Sequence, residues 1–178
     1  DGRAQAILAS AGCSNVCTGE QGIKDAREMT RITGELLRIP PRQVLIASTG
    51  VIGQPLPMDK IGAGLPKLVK GLSPQGGRLA AEAIMTTDTK PKEAALRVEV
   101  AGRPVTIGGI AKGVGMIEPD MATMFCFLAT DAMVARDSLP RVLGRAVDGS
   151  FNRITVDSDQ PTSDTVAVLA NGLAENAS

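Results

Sequence analysis

The spacing of apolar side chains changes several times along the chain, and each change predicts an element. Ala4 to Ala9 (Ala-Gln-Ala-Ile-Leu-Ala) reads as a strand that starts almost without a lead-in, followed by a loop over Ser10 to Gly19. Thr18 and Gln21 have the spacing of a capping box for the next helix, expected from about Glu20 to Leu37. Its apolar face holds Ile23, Ala26, Met29, Thr33, Leu36 and Leu37, and Glu20 can pair with Lys24 on the other side. Pro40-Pro41 stops that helix. Val44-Leu45-Ile46-Ala47 is then a continuous apolar run, as in a strand buried on both faces, and Ser48-Thr49-Gly50 opens the loop after it.

Further along, a helix is expected from Met58 to Leu72 with a kink at Pro66, and another from Gly77 to Met85 that stops at Thr86-Thr87-Asp88-Thr89. Leu96 to Val100 and Val105 to Ile107 predict a hairpin turning at Ala101-Gly102-Arg103-Pro104. A glycine-rich loop leads to Asp120, and a strand is expected over Thr123 to Ala129. Leu139, Val142, Leu143, Ala146 and Val147 fall on one helical face, with Pro140 in the first turn and Gly149 as the stop. Ile154 to Val156 reads as a short strand, and Asp164 to Ala170 as a last helix ending near Gly172. Strands and helices mix without a regular βαβ rhythm, which favours a layered α/β or α+β architecture over a Rossmann fold.

Composition narrows what such a fold could do. At 178 residues the chain suits one domain or two small ones. Net charge is zero, so neither a nucleic-acid groove nor an anionic membrane surface is expected as a partner. No apolar run is long enough to span a bilayer, and no signal peptide is read at the start. There is no Trp or Tyr and only 3 Phe, which disfavours stacking platforms for bases or sugars. There is also no His, so a Ser-His-Asp or Cys-His site cannot be completed within the chain, nor a histidine zinc site. Cys13 and Cys17 lack the spacing of a redox pair or zinc knuckle, and free, mostly buried thiols in a cytoplasmic protein are expected.

Any nucleophilic chemistry must therefore use a lysine, a carboxylate or an α-amino group as base. Gly108 to Gly115 has glycines and a lysine, but Lys112 is followed by Gly and Val rather than by the Ser/Thr of a P-loop. The segment Gly113-Val114-Gly115-Met116-Ile117-Glu118-Pro119-Asp120-Met121-Ala122-Thr123 offers another reading. A threonine hydroxyl is a poor nucleophile without a base, and a threonine that heads a chain has its own α-amine, of pKa roughly 8, beside it. Ala122 is small enough to leave the scissile carbonyl accessible, and Gly115, Pro119 and Asp120 could hold a sharp loop. A threonine that merely caps a strand is the plain alternative. Lys112 is likewise either a site cation or an ordinary solvated loop lysine.

Ala111-Lys112-Gly113-Val114-Gly115-Met116-Ile117-Glu118-Pro119-Asp120-Met121-Ala122-Thr123-Met124 closely resembles the self-cleavage segment of the ornithine acetyltransferase family, bifunctional glutamate N-acetyltransferases of arginine biosynthesis. Ala47-Ser48-Thr49-Gly50-Val51-Ile52-Gly53 with Pro55-Leu56-Pro57-Met58 resembles the family's oxyanion-hole segment, and Met85-Thr86-Thr87-Asp88-Thr89 its substrate-binding turn. Cys17 to Gly22 and Phe151 to Asp157 match in order as well. The family loop around Ala9 to Asn15 is usually richer in asparagine, Asp120 stands where Asn is commoner, and Asp157 to Asp164 diverges more.

The resemblance implies a layered α/β (α+β) fold of N-terminal-nucleophile-like type, with mixed sheets packed by helices. It implies cleavage at Ala122-Thr123, an α-chain region over 1–122 and the start of a β-chain region over 123–178, in one continuous structural unit. Thr123 would be the nucleophile that carries acetyl from N-acetylornithine to glutamate, with Thr49 and Gly50 as oxyanion-hole donors. Thr86, Lys112 and Thr123 would bind substrate. No metal or organic cofactor is implied, though acetyl-CoA serves as co-substrate in bifunctional members. Mature members associate as α and β chains. Family chains start earlier and run well past Ser178, so the sequence is expected to be an internal fragment. A related hydrolase or aminopeptidase, or a non-catalytic piece of the family, are the rival readings.

Overall fold

β1 (Ala6–Cys13) and β2 (Val44–Val51) pair in parallel, Ala6 opposite Val44 through Cys13 opposite Val51, and α1 (Gly19–Leu37) makes the crossover between them. A short 3-10 turn, Pro41–Gln43, precedes β2. α2 (Met58–Lys70) and α3 (Gly77–Ala83) follow. The computed structural model describes residues 2–115, 117–118, 121–122, 124–157 and 162–177, and the chain divides into two compact units, Asp1–Thr86 and Thr87–Ser178.

The first unit's core joins Leu8 of β1, Met29 of α1, Val44 of β2, Leu56, and Leu65 of α2. Several expectations shift in this unit. β1 begins at Ala6 and continues through Ser10 to Cys13, and β2 runs past Ala47 through Ser48, Thr49 and Gly50, because each strand supplies hydrogen-bond partners for the other along its full length. β2 is not buried on both faces, since Leu45 is 40% exposed.

The bounds of α1 agree with expectation within one residue, but its buried stripe is Gly22, Asp25, Met29, Thr33 and Gly34, while Ile23 is 55% exposed. The capping box does not form: the Thr18 hydroxyl donates to Asn15 Oδ1 and the Gln21 amide donates to Asp25 Oδ1. Met29 and Thr33 of the expected face are buried, and Gly22, Asp25 and Gly34 are buried with them. α1 ends at Arg38, in the left-handed conformation at φ 57°, whose N–H reaches back to the carbonyls of Gly34 and Glu35. α2 carries Pro66 inside it, with Asp59 in the first turn and Lys67 and Lys70 in the last, a charge order that complements the helix dipole.

The second unit is built on a mixed four-stranded sheet. β3 (Lys92–Val100) and β4 (Arg103–Lys112) form the expected hairpin, longer at both ends. Its two-residue turn is Ala101-Gly102, at φ 50° and 76°, the sign a type I′ turn requires. β5 (Ile117–Glu118) and β6 (Met121–Ala122) pair in a small hairpin of their own. β7 (Phe125–Thr130) runs antiparallel to β4, α4 (Leu139–Asp148) crosses over, and β8 (Thr165–Ala170) returns parallel to β7.

β8 replaces the helix expected over Asp164 to Ala170. Thr165, Val166 and Val168 are β-branched, and both parities of the run are apolar, so the segment satisfies its backbone against β7 instead of against itself. The strand expected over Ile154 to Val156 shrinks to a bridge at Val156 and Asp157, after a 3-10 turn at Phe151–Arg153. The start of the strand expected at Thr123 lies outside the described residues; β7 begins at Phe125. Met124 and Cys126 centre a core cluster with Ala111, Leu128, Phe151 and Val166 packed against them. Among the described residues no helix is long and apolar enough to cross a membrane. The layered α/β architecture with mixed strand directions is the one expected from the sequence.

Candidate active site

Thr49 and Gly50 lie in the first unit, near the C-terminal end of β2 rather than in a loop. Thr49 is 1% exposed. Gly50 faces Gly12 across the parallel register, and both are at positive φ, 127° and 119°. A Cβ on Gly50 would lie 2.3 Å from the Gly12 carbonyl carbon and oxygen, so the two main chains meet where only glycine fits.

The loop after β1 is wired to this strand end. Ser14 N–H donates to the Val51 carbonyl at 2.9 Å, Asn15 N–H to Ser48 Oγ at 2.8 Å, and Gly53 N–H to the Val16 carbonyl at 3.0 Å. The Asn15 amide then donates to the Gly22 carbonyl in α1 at 2.8 Å. Oxyanion donors work by being fixed before charge develops, and a strand end braced in this way meets that condition. Thr86, the last residue of this unit, is exposed.

Lys112 and Ala122 belong to the second unit. Lys112 ends β4 and is 3% exposed, so it is not the solvated loop lysine that its neighbours in sequence allow. It sits opposite Phe125 in the β4–β7 register, with Nζ 5.8 Å from the centre of the Phe125 ring. Between these two paired residues lie β5 and β6, which pair with each other in a sheet of their own. Ala122 ends β6, which lies against the Phe151–Arg153 turn. Thr123, the expected nucleophile, lies outside the described residues, as do Pro119 and Asp120.

Around Lys112 the charges are organised. Asp88 is buried and accepts a hydrogen bond from Gly113 N–H at 2.9 Å and another from Lys92 Nζ. Burial holds the Lys112 ammonium below the usual lysine range; Asp88 and Asp164 pull it back up, and Lys92 pushes it down. Asp164 Oδ1 accepts the Met124 N–H at 2.8 Å, while its Oδ2 is buried with no hydrogen-bond partner among the described residues. Burial pushes the Asp164 carboxyl up to about 6, against the opposing effects of the Met124 N–H and the Lys112 charge. The Asp157 carboxylate lies so close to the main chain at Gly115 that a Cβ there would come within 2.9 Å of Oδ2.

A buried cation flanked by carboxylates can hold an anionic substrate group or set the protonation of its neighbours. Sequence reasoning missed Asp88 and Asp164 as individual site residues. Asp88 was hidden between three threonines in the Thr86–Thr89 turn, where a helix stop explained it. Asp164 stood where a helix N-terminus was expected, and an acidic residue there needs no further reason. The cysteines are free: Cys126 is buried, Cys13 half-buried and Cys17 exposed, so the expectation of mostly buried thiols holds for Cys126 alone. Burial raises the Cys126 thiol, which weakens it as a nucleophile.

The family model for ArgJ matches residues 1–178. The arginine biosynthesis bifunctional protein ArgJ of Symbiobacterium thermophilum is 57% identical over 175 residues, covering 98% of this chain and 44% of that protein. The ArgJ protein of Thermotoga neapolitana is 51% identical over 173 residues, covering 97% and 43%. The chain thus spans less than half the length of these curated relatives. Among solved structures, ArgJ of Bacillus halodurans matches with a TM-score of 0.59 and 42% identity, over 65% of this chain and 61% of that one. Ornithine acetyltransferase of Mycobacterium tuberculosis, crystallised with ornithine, matches with a TM-score of 0.56 and 34% identity, over 64% and 61%.

Proposed function

The chain belongs to the ArgJ family, and from that membership we propose that it carries the self-cleaving, nucleophile-bearing part of a cytoplasmic acetyltransferase of arginine biosynthesis. In this reading the Thr123 hydroxyl attacks the Ala122 carbonyl, the peptide becomes an ester, and water releases Ala122 as a new carboxylate. The freed α-amine of Thr123 then serves as its base. The hydroxyl attacks the acetyl carbonyl of N-acetylornithine, ornithine leaves as the amine, and the glutamate amine takes the acetyl group from acetyl-Thr123. Acetyl-CoA is a possible second donor, and no metal or organic cofactor takes part.

Thr49 and Gly50 donate to the oxyanion in each addition, a contribution of about 3 to 4 kcal/mol to the transition state per well-placed donor. Lys112 and Thr86 receive the substrate carboxylate. The ornithine in the Mycobacterium tuberculosis relative supports the substrate class. After cleavage the α and β chains stay associated. The domain division at 122–123 is part of the same reading.

The observation that carries the proposal is the excursion between Lys112 and Phe125. Two strands in register close the ends of the segment that holds the Ala122-Thr123 bond, and a buried cation sits at its base. Intact-mass measurement of purified chain over time tests it. The expected products break between Ala122 and Thr123, and Thr123→Ala abolishes them. A Thr123→Ala chain that still breaks at Ala122 overturns the nucleophile. Assaying acetylornithine with and without glutamate then separates transfer from hydrolysis: acetylglutamate is the expected product, and acetate alone would favour the hydrolase reading.

A further inference from the structure

Asp164 belongs to none of the roles above, yet it is the described side chain that holds the main chain directly after Thr123. Its Oδ1 accepts the N–H of Met124 at 2.8 Å, across a sequence separation of 40 residues. Such a contact is long-range, so it is set by the β7–β8 pairing, Phe125 opposite Thr165, rather than by local turn chemistry. A carboxylate is also more than this bond needs. Asparagine would also give that N–H an acceptor, though a neutral and weaker one, and the second oxygen, Oδ2, is buried with no hydrogen-bond partner among the described residues.

We propose that Asp164 is a positioning residue for the reaction at Thr123, acting through the Met124 N–H and in the field of the Lys112 ammonium. The inference rests on the self-cleavage reading for its consequence, but its geometry stands on Met124 alone. The charged groups around it are Lys112, at the end of β4, and beyond Lys112 the Asp88 carboxylate and the Lys92 ammonium. From the β7 side the Met124 N–H favours the ionised form. With a carboxyl that titrates at about 6, the hold on Met124 changes strength within a range that intact protein can be taken through.

Cleavage at Ala122-Thr123 is followed by intact mass from about pH 5 to 8 in the full chain and in Asp164→Asn, which keeps an acceptor for Met124 but not the charge. The wild-type rate is expected to fall as pH drops through about 6. Asp164→Asn is expected to cut more slowly, on the order of tenfold or more, and without that inflection. An Asn variant with the wild-type rate and pH profile overturns the assignment. In parallel, the Met124 amide is followed by NMR against pH in the uncuttable Thr123→Ala chain, with and without Asp164→Asn. Its resonance is expected to titrate with a midpoint near that of Asp164 and to lie flat in the double variant. If wild type never cuts, the self-cleavage reading falls and the role of Asp164 at Thr123 falls with it; if wild type cuts while the Met124 amide stays flat, Asp164 alone is overturned.

Discussion

Gly50 and Asp164 show how much a single position can demand. At Gly50 the demand is steric: its Cβ position is 2.3 Å from the carbonyl of Gly12, and both residues lie at positive φ. Gly50→Ala must push β1 and β2 apart or break the register, and is expected to cost about 3 kcal/mol or more, measured by urea unfolding. A cost within the range of a surface substitution would mean the strands have room to separate. At Asp164 the demand is electrostatic. Burial raises this carboxyl from 3.8 to about 6. Between those values the folded chain keeps a proton that the unfolded chain releases, so this group removes stability as pH rises through that window. Above it the penalty is constant, at most about 3 kcal/mol. Asp164→Asn is therefore expected to raise the urea midpoint at neutral pH even while it slows cleavage. A variant less stable than wild type at neutral pH would contradict the sign.

Elements were legible wherever periodicity had one answer. The 3.6-residue pattern placed α1 and α4 to within a residue or two, because a face of apolar residues at that spacing has no strand equivalent. The β3–β4 hairpin was read from its turn. Its first turn residue, Ala101, adopts φ 50°, which costs a residue with a Cβ. Ala101→Asn, the residue type this turn prefers, is expected to add about 0.5 to 1 kcal/mol, visible as a higher thermal midpoint; no change would argue against the type I′ geometry. β8 was not legible. Thr165 to Ala170 is apolar at both parities, and a short continuous run of that kind does not distinguish a strand from a helix. The site follows the same division. Thr49 and Gly50 came from a resemblance and Lys112 from a nearby motif, whereas the partnership of Asp88 and Asp164 with Lys112 depends on pairing between distant strands, which no local pattern records.

For the molecule as a whole, net charge is zero while a charged cluster is kept inside and several large apolar side chains are kept outside. No described residue of α4 is buried, with Val142 55% exposed, and in the other unit Leu79 is 71% exposed. Apolar surface on this scale binds hydrophobic dyes. The chain is expected to do so in its folded state, and Val142→Lys with Leu79→Lys to reduce the signal without lowering the thermal midpoint. Dye binding that is absent in the parent chain would contradict the exposure of these faces. The register of β4 against β7 also has a consequence for what a cut would leave behind. Lys112 and Phe125 face each other on either side of the Ala122-Thr123 bond, so a chain broken there remains stitched through its sheet. The two pieces would travel as one in native separation and part only in denaturant. Refolding would then become a second-order encounter between fragments: the intact chain would recover at a rate independent of dilution, and the nicked one would recover more slowly the more it is diluted.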